Sequence, residues 1–436
     1  MRSSRRHWSP VVSSFLRLLR WRRSLRRDLV ISTVDAIAYS VMVGCGEMYL
    51  GAFVLALGLG PLVVGLVASV PLLVGAVVQL AAPLAVHHVG GRRPWVVICT
   101  SLQAASLLPL AWWGWQGSAE PWQLLAATSV YWAAGMAAFP AWTGWMAALV
   151  PVRVRTAYFA RRNRLGQLAV LLTFVLGGIV LRAEDARQSA LTGFSILFLV
   201  AAAARLFSSG CLWACREPRR RWQERAAARG PRTVRARIAA GLHDLTSGPG
   251  GPLVAFVCCF TFGLQFAGPY FTPYMLEALG FSYGQYLVVF AAGFLIKAIV
   301  LPTVGRLNSR LGSRRLLTLA ALAIIPLPLL WLPSGAVPWL IAVQFVAGAC
   351  WSAYELSVAL LIFEIAGDRE RTGIVNVHSL GLAVATVGGA TCGGVVLRAF
   401  GEGPEAYAAV FIGSCLLRAA ALPLLVILLR RREQQG

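Results

Sequence analysis

Six charged side chains fall well inside otherwise apolar stretches of this chain, away from their ends: Asp35, Glu47, Arg205, Lys297, Glu355 and Arg418. A charge at the centre of a membrane-spanning helix costs about 2.5–3.5 kcal/mol on insertion scales, so each of them needs a physical reason to be there. Glu355 lies on the stripe Gln344, Gly348, Trp351, Glu355, whose spacings of seven, four and four put all of them on one helical face. A carboxylate beside aromatic rings is driven towards its neutral form by desolvation, which suits a proton carrier. The competing reading is a structural Glu, paired or permanently protonated. Glu47 and Asp35 are the other two proton-coupling candidates. They share one apolar run but stand ~18 Å apart along a helix, too far for a dyad. Lys297 is expected to snorkel along its stem to the membrane surface. Arg205 and Arg418 fall on each other at an offset of 213 residues, and a charge repeated in this way points to a shared structural clamp.

Other chemistry lacks its motif. The sequence has no phosphate-binding glycine loop, no nucleophile elbow and no metal-spaced histidine cluster. All nine cysteines sit in apolar runs or at their ends with no pairing pattern, so they read as small core residues. Neither an enzyme nor a metal or cofactor site is expected.

The elements that must hold these charges are membrane spans. With 58% hydrophobic and 13% charged residues, the composition is that of a membrane protein. Twelve apolar runs are long enough to cross ~30 Å of hydrocarbon, near 29–57, 61–85, 94–115, 121–150, 164–182, 190–214, 250–279, 283–303, 315–333, 337–366, 373–398 and 406–429. They divide the chain into a basic segment (1–27), a six-helix bundle (28–215), a linker (216–248), a second six-helix bundle (249–430) and a tail (431–436).

The net charge of +23 is placed by topology. Of 40 basic residues, 34 fall in the termini, the linker and the connections on one side. The positive-inside rule then makes that side, and both termini, cytoplasmic. Separate short basic segments do not suit nucleic acid, but they do suit anionic lipid, as does the arginine-rich segment 1–27 read as an amphipathic surface helix. Because arginine outnumbers lysine 39 to one, a GC-rich bacterial genome is expected, and with it a bacterial inner membrane.

Two connections carry a repeated signal. Gly305–Arg315 contains Gly305, Leu307, Arg310, Gly312, Arg314 and Arg315. An earlier copy, Pro83–Arg93, keeps Gly90, Arg92 and Arg93 at an offset of 222. The later copy resembles the loop signature between the second and third helices of each half of major facilitator superfamily transporters, with Ser309 in place of its acidic residue. The earlier copy has Pro83, His87 and His88 at three of the motif positions. This resemblance implies two pseudo-symmetric six-helix bundles, an all-α membrane fold, with spans 1, 4, 7 and 10 lining a central cavity. On that basis the candidate cavity residues are Trp142, Trp145, Gln265, Tyr270, Tyr274, Gln344, Trp351 and Tyr354. The glycines at Gly44 and Gly46, and the prolines at Pro269 and Pro273, should distort spans 1 and 7.

The expected function is secondary transport of a small organic solute by alternating access, monomeric, with proton coupling as an added expectation and efflux favoured over uptake of a sugar-like nutrient or metabolite. Drug/proton antiporters of the superfamily carry an arginine in span 4 and a Gly-Pro pair in span 5, and both are missing here. A non-transporting sensor or scaffold on the same fold is the alternative from a different class. Polar groups facing a midplane cavity would favour transport, and an occluded apolar core would favour a scaffold.

Overall fold

The computed structural model describes residues 10–185, 187, 189–217, 251–365, 371–401 and 403–426. Among these described residues, twelve helices are long and apolar enough to cross a membrane. Spans 1–6 are Ser24–Ala56, Gly60–Ala82, Arg92–Gln116, Pro121–Leu149, Arg161–Glu184 and Ala190–Ala214. Spans 7–12 are Gly251–Ala278, Tyr283–Leu311, Ser313–Trp331, Val337–Val358, Leu380–Ala399 and Pro404–Val426.

Packing repeats between the halves. In the first, span 1 packs on spans 5 and 6, span 2 on span 4, and span 3 on spans 4 and 6. In the second, span 7 packs on 11 and 12, span 8 on 10, and span 9 on 10. The halves meet chiefly through two related contacts, span 2 on span 11 and span 5 on span 8. This exchange is the pattern of a pseudo-twofold axis along the membrane normal.

Apolar burial is distributed unevenly across the membrane. On the side away from the Gly90 and Gly312 turns, a single core draws on both halves, with Tyr49, Phe53, Phe174 and Phe194 meeting Tyr270, Tyr274, Tyr286 and Tyr407. On the side of those turns each half has its own core, around Trp145 and Met146 in the first and around Phe256, Phe260 and Leu317 in the second. Among the described residues the bundles therefore share one core on the far side and have separate cores on the near side. Close approaches hold the seal: a Cβ on Gly178 would lie 2.6 Å from Leu287, and Gly65 lies against the Tyr270 ring.

Spans 1 and 7 are broken at matching depths, as their glycines and prolines predict. The first helix ends at Cys45 and resumes after a 3-10 turn at Glu47–Tyr49. Span 7 passes from helix to a 3-10 turn at Gly268–Tyr270 and then to a π-helical stretch at Tyr274–Ala278, where Pro269 and Pro273 supply no N–H to the ladder.

Two expectations are corrected. The basic loops are mostly helix, since span 8 continues to Leu311 and the helix of span 2 to His88. The turns are confined to Gly312 and Gly90–Gly91, and both Gly312 and Gly90 have φ of +79°, a backbone that glycine adopts without strain. The arginine-rich stretch after Pro151 is also helical, running unbroken from Val152 to Asp185, because arginine is a good helix former. Most of the linker, the tail and residues 366–370 lie outside the described residues.

Candidate functional site

A cavity of about 730 Å³ opens along the inner wall of the second bundle. Each of spans 7 to 12 contributes to its lining, including Gln265 and Phe271, Phe290, Trp331, Gln344 and Trp351, His378 and Thr386, and Arg418. Span 10 supplies most of the chemistry. Gln344, Ala347, Trp351, Tyr354, Glu355 and Val358 all face the cavity at three- and four-residue spacing, one apolar-and-polar stripe on a straight helix. Gly348, on the expected stripe, turns instead to span 8, where a Cβ would come within 2.7 Å of the Gly293 carbonyl.

That close approach brings together two charges 58 residues apart. Lys297 Nζ donates to Glu355 at 2.6 Å from both carboxylate oxygens. The expectation that Lys297 snorkels to the surface is corrected: spans 8 and 10 touch at Gly293 and Gly348, and its stem reaches across the groove. The expectation of a desolvated Glu355 is corrected as well, since its side chain is 52% exposed and its charge is compensated.

The other candidates divide. Gln265, Gln344, Trp351 and Tyr354 line the cavity. Trp145 is fully buried and its indole N–H donates to the Arg216 carbonyl at 3.0 Å. Tyr270 is fully buried at the seal between the halves, with its hydroxyl on the Ala390 carbonyl at 2.5 Å. Tyr274 is buried in an aromatic cluster and donates to the Trp331 carbonyl at 3.2 Å. These three belong to the packing of the bundles and not to the cavity wall. Trp142 is half-buried with its ring 4.6 Å from the Arg162 guanidinium.

The first half holds a buried polar network. Asp35 accepts from Arg162 Nη2 at 3.0 Å and from Ser208 Oγ at 2.7 Å. Arg205 donates from Nε to Gln103 Oε1 at 2.8 Å and from Nη1 to Ser208 Oγ at 3.0 Å, and its guanidinium lies 4.9 Å from the Tyr39 ring centre. Glu47 accepts from the Tyr131 hydroxyl at 3.0 Å. Two carboxylates and two guanidinium groups, on spans 1, 5 and 6, thus balance in charge, with neutral partners from spans 3 and 4. Sequence reading singled out Asp35, Glu47 and Arg205 but not Gln103, Ser208 or Tyr131, whose only signal was polarity within an apolar run.

Arg418 repeats the position of Arg205 with different surroundings. It is 3% exposed, and Nη1 donates to the Ile324 carbonyl at 3.0 Å. That carbonyl is left free in the helix of span 9 because Pro328, four residues on, has no N–H. Each arginine therefore lies against acceptors of its own bundle, the geometry of a clamp, while Arg418 also reaches the cavity lining.

At the near-side turns, Gly312 ends span 8 with its N–H on Asn308. In the first copy the Glu217 carboxylate accepts from the backbone N–H groups of Arg92 and Arg93 at 2.9 and 3.3 Å. A carboxylate at a helix N-terminus is stabilised by the helix dipole, so this turn has an acidic partner although the loop itself has none. The Arg93 guanidinium stacks 4.6 Å from the Trp213 ring centre, and that of Arg92 lies along Gly144 of span 4. Ser309, in the motif's acidic position, donates within its own helix turn to the Arg306 carbonyl. Gly305, Arg310 and Arg315 are exposed there, and Arg314 is half-buried.

Twelve spans in two pseudo-symmetric bundles, with a cavity on the inner wall of the second, set the frame for comparison with known proteins. Residues 253–436 match the family model described as Major Facilitator Superfamily. Among solved structures, one of the nucleoside transporter NupG is similar with a TM-score of 0.70 at 13% identity, covering 91% of this chain and 99% of that one. The D-xylose–proton symporter is similar with a TM-score of 0.67 at 16% identity, covering 92% and 97%. A bacterial homolog of the human lysosomal transporter Spinster, inward-facing and unoccupied, gives 0.63 at 14% identity, covering 94% and 95%. No curated protein sequence matches the chain. The second half of the chain thus matches the family model, and the whole chain shares the fold of these transporter structures.

Proposed function

We propose that this protein carries a small organic solute across the bacterial inner membrane by alternating access, with the near side facing the cytoplasm and the cavity as the solute site. The observation that carries this reading is the division of the core: one apolar seal joins the bundles on the far side, while separate cores flank the near side. With the basic termini and connections on the near side, that arrangement is inward-facing. Gln265, Gln344 and Glu355 on the cavity wall favour transport over a scaffold, which would need no polar groups at that depth. The aromatic wall of Phe271, Phe290, Trp331 and Trp351 suits an amphipathic solute.

Proton coupling runs through Glu355 in this reading, with Glu47 and Asp35 as further candidates. Protonating Glu355 removes its attraction for Lys297 and frees a cation at the cavity wall, so a proton and a conformational preference are exchanged at one site. The test uses compounds that stabilise the purified protein at two pH values, followed by flux in proteoliposomes. Glu355→Gln should abolish accumulation driven by a pH gradient and preserve exchange. Concentrative transport at the wild-type rate in that variant removes Glu355 from coupling, and no flux of any stabilising compound refutes transport.

A further inference from the structure

The pseudo-symmetric arginines differ in one respect that bears on what the cavity holds. Arg205 has its charge answered: Ser208 links it to Asp35, and the two carboxylates and two guanidinium groups of that cluster sum to zero. Arg418 is as deeply buried, but none of the ion pairs among the described residues includes it, and its Nε has no hydrogen-bond partner. Its one bond among the described residues is to a neutral carbonyl. The remaining charges at the cavity, Lys297 and Glu355, neutralise each other. The cavity therefore keeps one net positive charge, and it sits on Arg418. A clamp for the Ile324 carbonyl does not require that charge, since a neutral amide would serve. A guanidinium left unpaired in a low-dielectric wall is a standing cost that an anion would offset. Two further polar groups of the same lining, the Tyr354 hydroxyl and His378 Nε2, also have no partner.

Building on the reading of this cavity as the solute site, we propose that the solute carries a single anionic group, a carboxylate on an apolar or aromatic body, and that Arg418 is the residue that recognises it. The aromatic wall takes the body, and Tyr354 and His378 are placed to add neutral hydrogen bonds. A planar guanidinium is suited to a carboxylate because it offers two parallel donors, which a lysine cannot.

The experiment compares matched pairs on the full chain in detergent: benzoate, phenylacetate, indole-3-acetate and hexanoate, each against its primary amide. Binding is read by melting temperature and by quenching of tryptophan fluorescence, with Trp331 and Trp351 in the wall. At least one acid should bind on the order of tenfold more tightly than its amide. Arg418→Gln, which keeps a donor for Ile324 and loses the charge, should erase that preference, and Arg418→Lys should retain part of it. Amides binding as well as acids, no acid binding at all, or an acid preference that survives Arg418→Gln each overturn the proposal. If Arg418→Gln does not fold, the acid–amide comparison on the unaltered chain decides alone. Charge-blind binding with flux in proteoliposomes would sink the anion site and leave transport standing. Acid-selective binding without flux would do the reverse.

Discussion

Replacing Arg205 by alanine should cost far more than the two hydrogen bonds it makes. Its bonds to Gln103 and Ser208 are 2.8 and 3.0 Å long. Side-chain hydrogen bonds between membrane helices average ~0.6 kcal/mol each, so their loss alone amounts to about 1 kcal/mol. The larger effect is electrostatic. With Arg205 gone, Asp35 and Glu47 face Arg162 alone, and the buried cluster carries a net negative charge. Removing one member of a buried charge pair costs about 3–5 kcal/mol. We expect Arg205→Ala to fall in that range, and Asp35→Asn to be destabilising in its own right. The double variant removes one charge of each sign and should recover at least ~1 kcal/mol relative to the sum of the two. The assay is reversible unfolding of the full chain in mixed micelles, with ligand absent. Additive effects within ~0.3–0.5 kcal/mol would show that Ser208 does not transmit the interaction, and a loss of only ~1 kcal/mol for Arg205→Ala would reduce the cluster to its hydrogen bonds.

Gly178→Leu should prevent the far-side seal from closing, because its Cβ alone would lie 2.6 Å from Leu287. Cysteines placed at the far-side ends of spans 5 and 8 should then label faster from outside, and unchanged labelling would refute the sealing role. Gly312→Val should strain the turn by about 1–3 kcal/mol, since a β-branched residue there must hold a φ of +79°. Transport should drop with membrane insertion intact, whereas full activity would leave the turn as a topology signal only. Reporter fusions at residue 436 and within 218–248 should both read cytoplasmic, and an external reading at either would invert the assignment of the two faces.

The spans were legible because a run of apolar residues has one solution in a bilayer. The distortions of spans 1 and 7 followed from Gly44, Gly46, Pro269 and Pro273, whose backbone effects are local. The span 10 stripe was legible for the same reason, since helical periodicity alone puts Gln344, Trp351 and Glu355 on one face. Pairings between helices were not. Lys297 with Glu355, and Asp35 with Arg162, are set by how helices cross, and no spacing within one helix encodes that. Aromatic residues were ambiguous for a different reason. Trp145 and Tyr270 have the same composition signal as Trp351, and only packing separates a ring in the core from a ring on a cavity wall. The basic motif points to loops longer than those observed because arginine, a good helix former, lets a span's helix run on past the membrane. Glu217 is not legible in the sequence because its partners are backbone N–H groups, which have no sequence signature.

The central claim, that the two bundles rock about the cavity, is tested most directly by paired distance measurements on one protein. Spin labels at Val154 and Leu307, both exposed on the near side, report the opening described here, and labels at Trp122 and Trp339, both exposed on the far side, report the seal. Double electron–electron resonance in nanodiscs, with and without a stabilising compound and at two pH values, gives both distance distributions. The account predicts reciprocal change, with the near-side distance shortening as the far-side distance lengthens. Two distributions that stay fixed under every condition, or that widen together, would contradict it.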